Sequence, residues 1–125
     1  MAGIDSFNPL FYSQSAAALE AAKKNKKEEE RLERLKNIVL NMPELPGCYQ
    51  YFDENQTIIY VGKAKNLKRR VSSYFLKTAK SRKTEILVSK IQDINYVIVP
   101  TDEDALLLEN NLIKKYRPRY NVLLK

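Results

Sequence analysis

No histidine occurs anywhere in the chain, and only one cysteine does. The missing imidazoles exclude histidine-ligated metal nucleases, Ser-His-Asp hydrolases and histidine phosphotransfer. Acid–base chemistry is left to Tyr, Lys, Asp and Glu. One thiol can neither close an internal disulfide nor build a cysteine-rich zinc site, and it fits a reducing cytoplasm. No apolar run approaches the roughly 18 residues of a membrane span. No charged n-region, apolar h-region and cleavage site open the chain, so a secretory precursor is not expected.

What the chain has is positive charge, unevenly placed. The formal charge is +7 over 125 residues. Residues 1–42 hold seven Lys/Arg and six Asp/Glu, net +1, and residues 43–125 hold fifteen and nine, net +6. Between residues 63 and 90 there are ten basic residues and one acid, Glu85. That density points to a polyanion, most simply a nucleic-acid backbone. The plainer alternative is a solvated, lysine-rich surface.

Residues 1–14 show no period and read as a tag, linker or docking arm. Residues 15–40 read as a helix, with Ser15 as N-cap and Leu32, Leu35, Ile38, Val39 and Met42 at helical spacing. The stretch Lys23 to Glu30 is nearly all charged, and Pro43 and Pro46 end the element. Residues 47–52 (GCYQYF) and 57–62 (TIIYVG) read as a hairpin around a four-residue loop, 53–56. Pairing Phe52 with Thr57 sets Tyr49 opposite Tyr60, on one face. A one-residue slip would separate them. Asn66 caps a helix to about Phe75, with Leu67, Val71 and Tyr74 as its apolar stripe and Arg70 on the border. Residues 77–83 form a basic loop and 83–91 a further helix. Residues 94–99 (INYVIV) read as a buried strand. Thr101 caps a helix that carries Asp102, Glu103 and Asp104 in its first turn and stops before Pro118.

One position breaks that last helix's pattern. Glu109 lies roughly 40° from Ala105 around the helix, inside an apolar arc formed by Leu106, Leu108, Leu112, Ile113 and Tyr116. A carboxylate there loses hydration unless a cation or donors replace the water. The candidates are a metal ion, Arg70 or a lysine. With no imidazole and a single thiol, an oxygen-bound Mg²⁺ or Mn²⁺ fits better than Zn²⁺. Mg²⁺ often takes one or two carboxylates and completes its shell with water and phosphate, as phosphodiester cleavage requires.

Gly47-Cys48-Tyr49, ten intervening residues and Tyr60-Val61-Gly62 resemble the GIY-YIG nuclease superfamily. The runs Tyr60 to Phe75 (YVGKAKNLKRRVSSYF) and Ala105 to Lys125 (ALLLENNLIKKYRPRYNVLLK) resemble its UvrC-type branch, the N-terminal endonuclease domain of excision-repair nucleases. The resemblance covers about residues 35–125, with residues 1–34 as an N-terminal extension. It implies an α+β fold: a small antiparallel three-stranded sheet flanked by helices, here preceded by an N-terminal helix. It implies metal-dependent hydrolysis of one DNA strand, as in the 3′ incision of nucleotide excision repair. Carried over position by position, Tyr49 and Tyr60 match the motif tyrosines, Lys63 the lysine after the second motif and Arg70 the catalytic arginine. Tyr74 matches the helix tyrosine, Glu109 the metal ligand and Asn121 the asparagine that closes the site. Cys48 and Val61 stand where the family name has isoleucine.

Each role has a physical reason. Tyr60 deprotonates or orients the attacking water, and Lys63 favours its phenolate. Arg70 donates to the scissile phosphate. A metal on Glu109 polarises the phosphate and the leaving 3′-oxygen. Tyr49 and Tyr74 hydrogen-bond the water or a phosphate, and Asn121 orients a neighbouring donor. Lys63, Lys65, Lys68, Arg69 and Arg70 contact DNA without reading its sequence.

The resemblance also implies partners: DNA, UvrB directly and UvrA indirectly, with no membrane and a monomeric domain. The UvrB-binding segment, the RNase H-like domain and the helix-hairpin-helix elements it implies do not lie within 1–125, so a fragment or a short stand-alone relative is expected. Three rivals stand beside this reading: a non-catalytic nucleic-acid-binding module, another GIY-YIG structure-specific or homing endonuclease, and a helical docking protein that works through residues 15–40.

Overall fold

The structure is a computed structural model that describes residues 15–123. Residues 1–14 and the side chain of Ser15, read above as an N-cap, lie outside the described residues. The elements run α1 (Ser15–Leu40), β1 (Gly47–Phe52), β2 (Ile58–Ala64), α2 (Leu67–Tyr74), α3 (Arg82–Lys90), β3 (Asp93–Ile98), α4 (Asp102–Tyr116) and α5 (Arg119–Leu123). The chain divides into two compact units, Met1–Arg34 and Leu35–Lys125. Among the described residues no helix is long and apolar enough to cross a membrane.

The second unit is built on an antiparallel sheet of order β2-β1-β3. β1 is central, and five of its six residues are buried. Gly47 opens it because nothing larger fits. A Cβ there would strike the Val97 carbonyl and the Leu67 side chain. The core gathers Leu35, Val39 and Met42, then Tyr49, Tyr51 and Ile59 of the hairpin, Leu67, Val71 and Tyr74 of α2, Leu87 and Ile91 around α3, and Tyr120 of α5. Truncating a fully buried residue such as Leu67 to Ala would cost about 2–5 kcal/mol.

α2 is held where its sequence requires. The Asn66 side chain accepts from the Arg69 amide, and the Leu67 and Lys68 amides donate to the carbonyls of Leu45 and Pro43. Its first-turn donors are thereby satisfied. Leu67, Val71 and Tyr74 face inward as the stripe predicts, and Arg70 is left exposed.

Three expectations need correction. The hairpin register differs from the one assumed. Asp53 takes Thr57 as its partner, with Gln56 in a left-handed conformation (φ 61°), and this tightens the turn to residues 54–56. A bulge then leaves Ile59 unpaired, so Tyr51 faces Tyr60 and Tyr49 faces Gly62. The two irregularities together shift the register by two residues. Parity is kept, and Tyr49 and Tyr60 still share a face. The strand read as buried, β3, is a half-covered edge: Ile94 is buried, while Val97 and Ile98 are 41% and 50% exposed. On α4 only Ala105 is fully buried, and Leu106 at one flank of the expected arc and Tyr116 near its middle are open to solvent.

Candidate active site

Alternation along the hairpin puts Tyr49, Tyr51 and Tyr60 on one face, and Tyr74 of α2 closes over them. The four rings lie 5.1–6.4 Å apart, centroid to centroid. The Tyr49 and Tyr74 hydroxyls share a hydrogen bond of 2.7 Å. Arg70 donates to the Tyr74 hydroxyl through Nη2 at 3.4 Å, and its guanidinium carbon lies 5.1 Å from that ring's centroid. The cation is thus fixed over the phenols while staying exposed to an incoming anion.

Gly62 makes this packing possible. A Cβ there would overlap the Tyr49 ring and hydroxyl, so the glycine of the second motif is the floor on which the tyrosine of the first motif lies.

Burial dominates the ionisation of the cluster. It pushes the Tyr49 hydroxyl up to about 12, although Tyr74 and Arg70 oppose it. It raises Tyr60 and Tyr74 further. For Tyr60 the opposing cation is Arg70, and Glu109 adds to the rise. Lys63 is not among the main influences on Tyr60. Its ammonium reaches Asp102 at 3.3 Å. Tyr60 is the least buried of the four tyrosines.

Glu109 sits half-buried on α4, against the backbone of Lys63 on β2 and near Cys48 on β1. Burial raises its carboxyl, opposed by the charge and the backbone amide of Lys63. Of the partners considered from sequence, Arg70 is engaged with Tyr74, and Lys63 is shared with Asp102. Among the described residues no side chain closes an ion pair with Glu109. Among the described residues no group of three or more His, Cys, Asp or Glu gathers to form a protein-only metal cage. A hard divalent ion held by one carboxylate, with water and substrate oxygens completing its shell, suits this donor set.

Asn121 is tied to β2. Its Oδ1 accepts from the Val61 amide and its Nδ2 donates to the Val61 carbonyl, both at 2.8 Å. It therefore anchors the backbone beside Tyr60. Lys65, Lys68 and Arg69 lie along the start of α2, away from the ring cluster.

Sequence reasoning missed Tyr51, whose buried hydroxyl has no hydrogen-bond partner among the described residues. Its position two residues beyond Tyr49 was the available signal. Asp102, the partner of Lys63, gave none, because the two are far apart in sequence. Cys48, buried, donates to the Ala105 carbonyl and is pushed up to about 11 by burial and by Glu109, so it stays a thiol.

Buried phenols, one exposed guanidinium and one half-buried carboxylate are groups whose chemistry suits a phosphate-bearing polyanion and a hard cation. The chain belongs to the UvrC-like GIY-YIG domain family, whose profile matches residues 45–122. It is 70% identical over 93 residues to UvrABC system protein C of Bacteroides fragilis, which covers 74% of this chain and 15% of that protein. It is 60% identical over 84 residues to the same protein of Methanospirillum hungatei, covering 67% and 16%. The chain thus spans about a seventh of the length of these relatives. Among solved structures it is similar to the GIY-YIG N-terminal endonuclease domain of UvrC from Thermotoga maritima, bound to its catalytic divalent cation, magnesium. There the TM-score is 0.64, with 35% identity over 70% of this chain and 96% of that one.

Proposed function

We propose that residues 35–125 form a DNA endonuclease unit that hydrolyses one strand with the help of Mg²⁺ or Mn²⁺, and that in a longer protein it makes the 3′ incision of nucleotide excision repair. The observation that carries this reading is the juxtaposition of exposed Arg70 with the tyrosine cluster, together with a half-buried glutamate that has no ion-pair partner among the described residues. Glu109 is the residue that would hold the ion. Such an ion, when bound, polarises the phosphate and stabilises the leaving oxygen.

The chain's own residues supply the rest. Arg70 binds the scissile phosphate and meets the charge that grows on it. The Tyr74 hydroxyl and ring keep Arg70 in place, and Tyr49 holds Tyr74. Tyr60, the most accessible phenol, orients the attacking water and accepts its proton when ionised. Asn121 keeps the Tyr60–Gly62 segment in line. Lys63, Lys65, Lys68 and Arg69 attract the backbone without reading sequence. Lesion choice and the docking of UvrB and UvrA belong to the longer protein.

The test is Glu109→Ala. Mg²⁺-dependent nicking of supercoiled DNA should fall by about 100-fold or more while DNA binding in EDTA is kept. Undiminished nicking would remove Glu109 from the site. Nicking absent from the wild type would favour a non-catalytic binding module.

A further inference from the structure

Two cavities open on either side of Arg70 and Ser73, which line both. One, of about 510 Å³, is walled by Lys63, Lys65, Asn66 and Arg69, and belongs to the basic surface already assigned to DNA. The other, of about 500 Å³, lies on the far side, against Tyr60 and Tyr74. Its remaining polar wall comes from the loop before α3 and that helix's first turn: Lys80, Ser81, Lys83 and Thr84. No carboxylate lines either one.

The second cavity is organised for an anion. Arg70, Lys80 and Lys83 give it three positive charges, and Ser73, Ser81 and Thr84 give it hydroxyl donors. Lys80 is braced on the Leu76 carbonyl, which ties the loop to the end of α2. Ser81 caps α3, accepting from the Thr84 amide at 3.2 Å and donating to the Thr84 hydroxyl at 2.9 Å. The positive end of the α3 dipole therefore adds to the field in the cavity. Uncompensated cations beside a reacting centre favour phosphate, and the volume admits a phosphodiester with its sugar.

We propose that this cavity is a second phosphodiester seat, on the opposite side of Arg70 from the Lys63–Arg69 surface. The cleaved strand then runs across both, with the scissile phosphate at the ridge that Arg70 forms between them. Naming the bound phosphate as a neighbour of the cut rests on the endonuclease reading. The seat itself does not.

Two measurements test it on the full chain. The first is binding of a fluorescein-labelled duplex in EDTA over a range of salt, for the wild type and for Lys80→Ala/Lys83→Ala. Each lost phosphate contact lowers the slope of log K against log salt by about 0.9, so the double variant should lose roughly 1–2 in slope and bind several-fold more weakly at low salt. Lys83→Ala alone, which leaves the Lys80–Leu76 brace intact, should lose roughly half as much and guards against a collapsed loop. Unchanged slopes in both variants overturn the proposal.

The second measurement is Mg²⁺-dependent nicking of substrates that carry one neutral methylphosphonate at successive positions around the cut. Wild type should be slowed at a particular flanking position where the double variant is indifferent. Equal sensitivity of the two proteins at every position overturns the proposal. If nothing is nicked but the slope still falls, the endonuclease reading fails and the seat stands. If nicking proceeds with unaltered binding, the reverse holds.

Discussion

The four clustered tyrosines differ in what burial leaves them. Tyr49 and Tyr74 share a hydrogen bond, Tyr74 also accepts from Arg70, and the Tyr51 hydroxyl has no partner among the described residues. Only Tyr60 combines membership of the cluster with partial access to solvent. Its hydroxyl is raised above the ordinary phenol value by burial, with Arg70 opposing and Glu109 reinforcing. The sign of the pH dependence follows. A base whose pKa is raised is protonated at neutral pH, and its active form grows as pH climbs. Nicking by the wild type should therefore increase with pH from 6 to 9, approaching about tenfold per unit. Tyr60→Phe should cut the rate sharply, keep the fold, and flatten the profile. Rates measured across that range decide it, and a flat wild-type profile removes Tyr60 as proton acceptor. Gly62 belongs to the same account. The second motif ends in glycine because the tyrosine of the first motif lies across it.

Among the elements, the hairpin shows why the site was only partly legible in sequence. Period-two alternation gave the face shared by Tyr49 and Tyr60, and helical periodicity gave the stripe of α2 and the anomaly of Glu109. Caps at Asn66 and Thr101 were readable because their side chains bond three residues ahead. Register was not readable, because the tighter turn and the bulge at Ile59 carry no glycine to announce them. The exposure of β3 was hidden too. An apolar run does not say whether its strand lies in the middle of a sheet or at its edge. The link between Lys63 and Asp102 spans the second unit and has no local signature. The turn offers an element-scale check. Gln56 holds φ 61°, where a side chain costs about 1–2 kcal/mol and glycine costs none. Gln56→Gly should stabilise the protein by about 0.5–1 kcal/mol in a denaturant titration and leave nicking unchanged. Lower stability would mean that the turn relaxes without strain.

For the whole molecule, charge and burial separate the two units. Residues 1–34 hold six Lys/Arg and six Asp/Glu, net zero, whereas residues 35–125 hold sixteen and nine, net +7. Residues 16–30 are exposed throughout, whereas the hydrophobic core begins at Leu35. Deleting residues 1–25 should therefore move the melting temperature by only about 2 °C or less and leave the salt dependence of DNA binding as it was. A large drop in calorimetry would show that the segment is needed for stability. Asn121 has a consequence at this scale that is not catalytic. A primary amide offers the same donor and acceptor as a peptide group, so against Val61 it stands in for one residue of a missing fourth strand. The outer border of β2 is thereby partly spoken for, at a place where unpaired peptide groups would template pairing with another chain. Another strand pairing at Val61 would first have to displace the Asn121 amide.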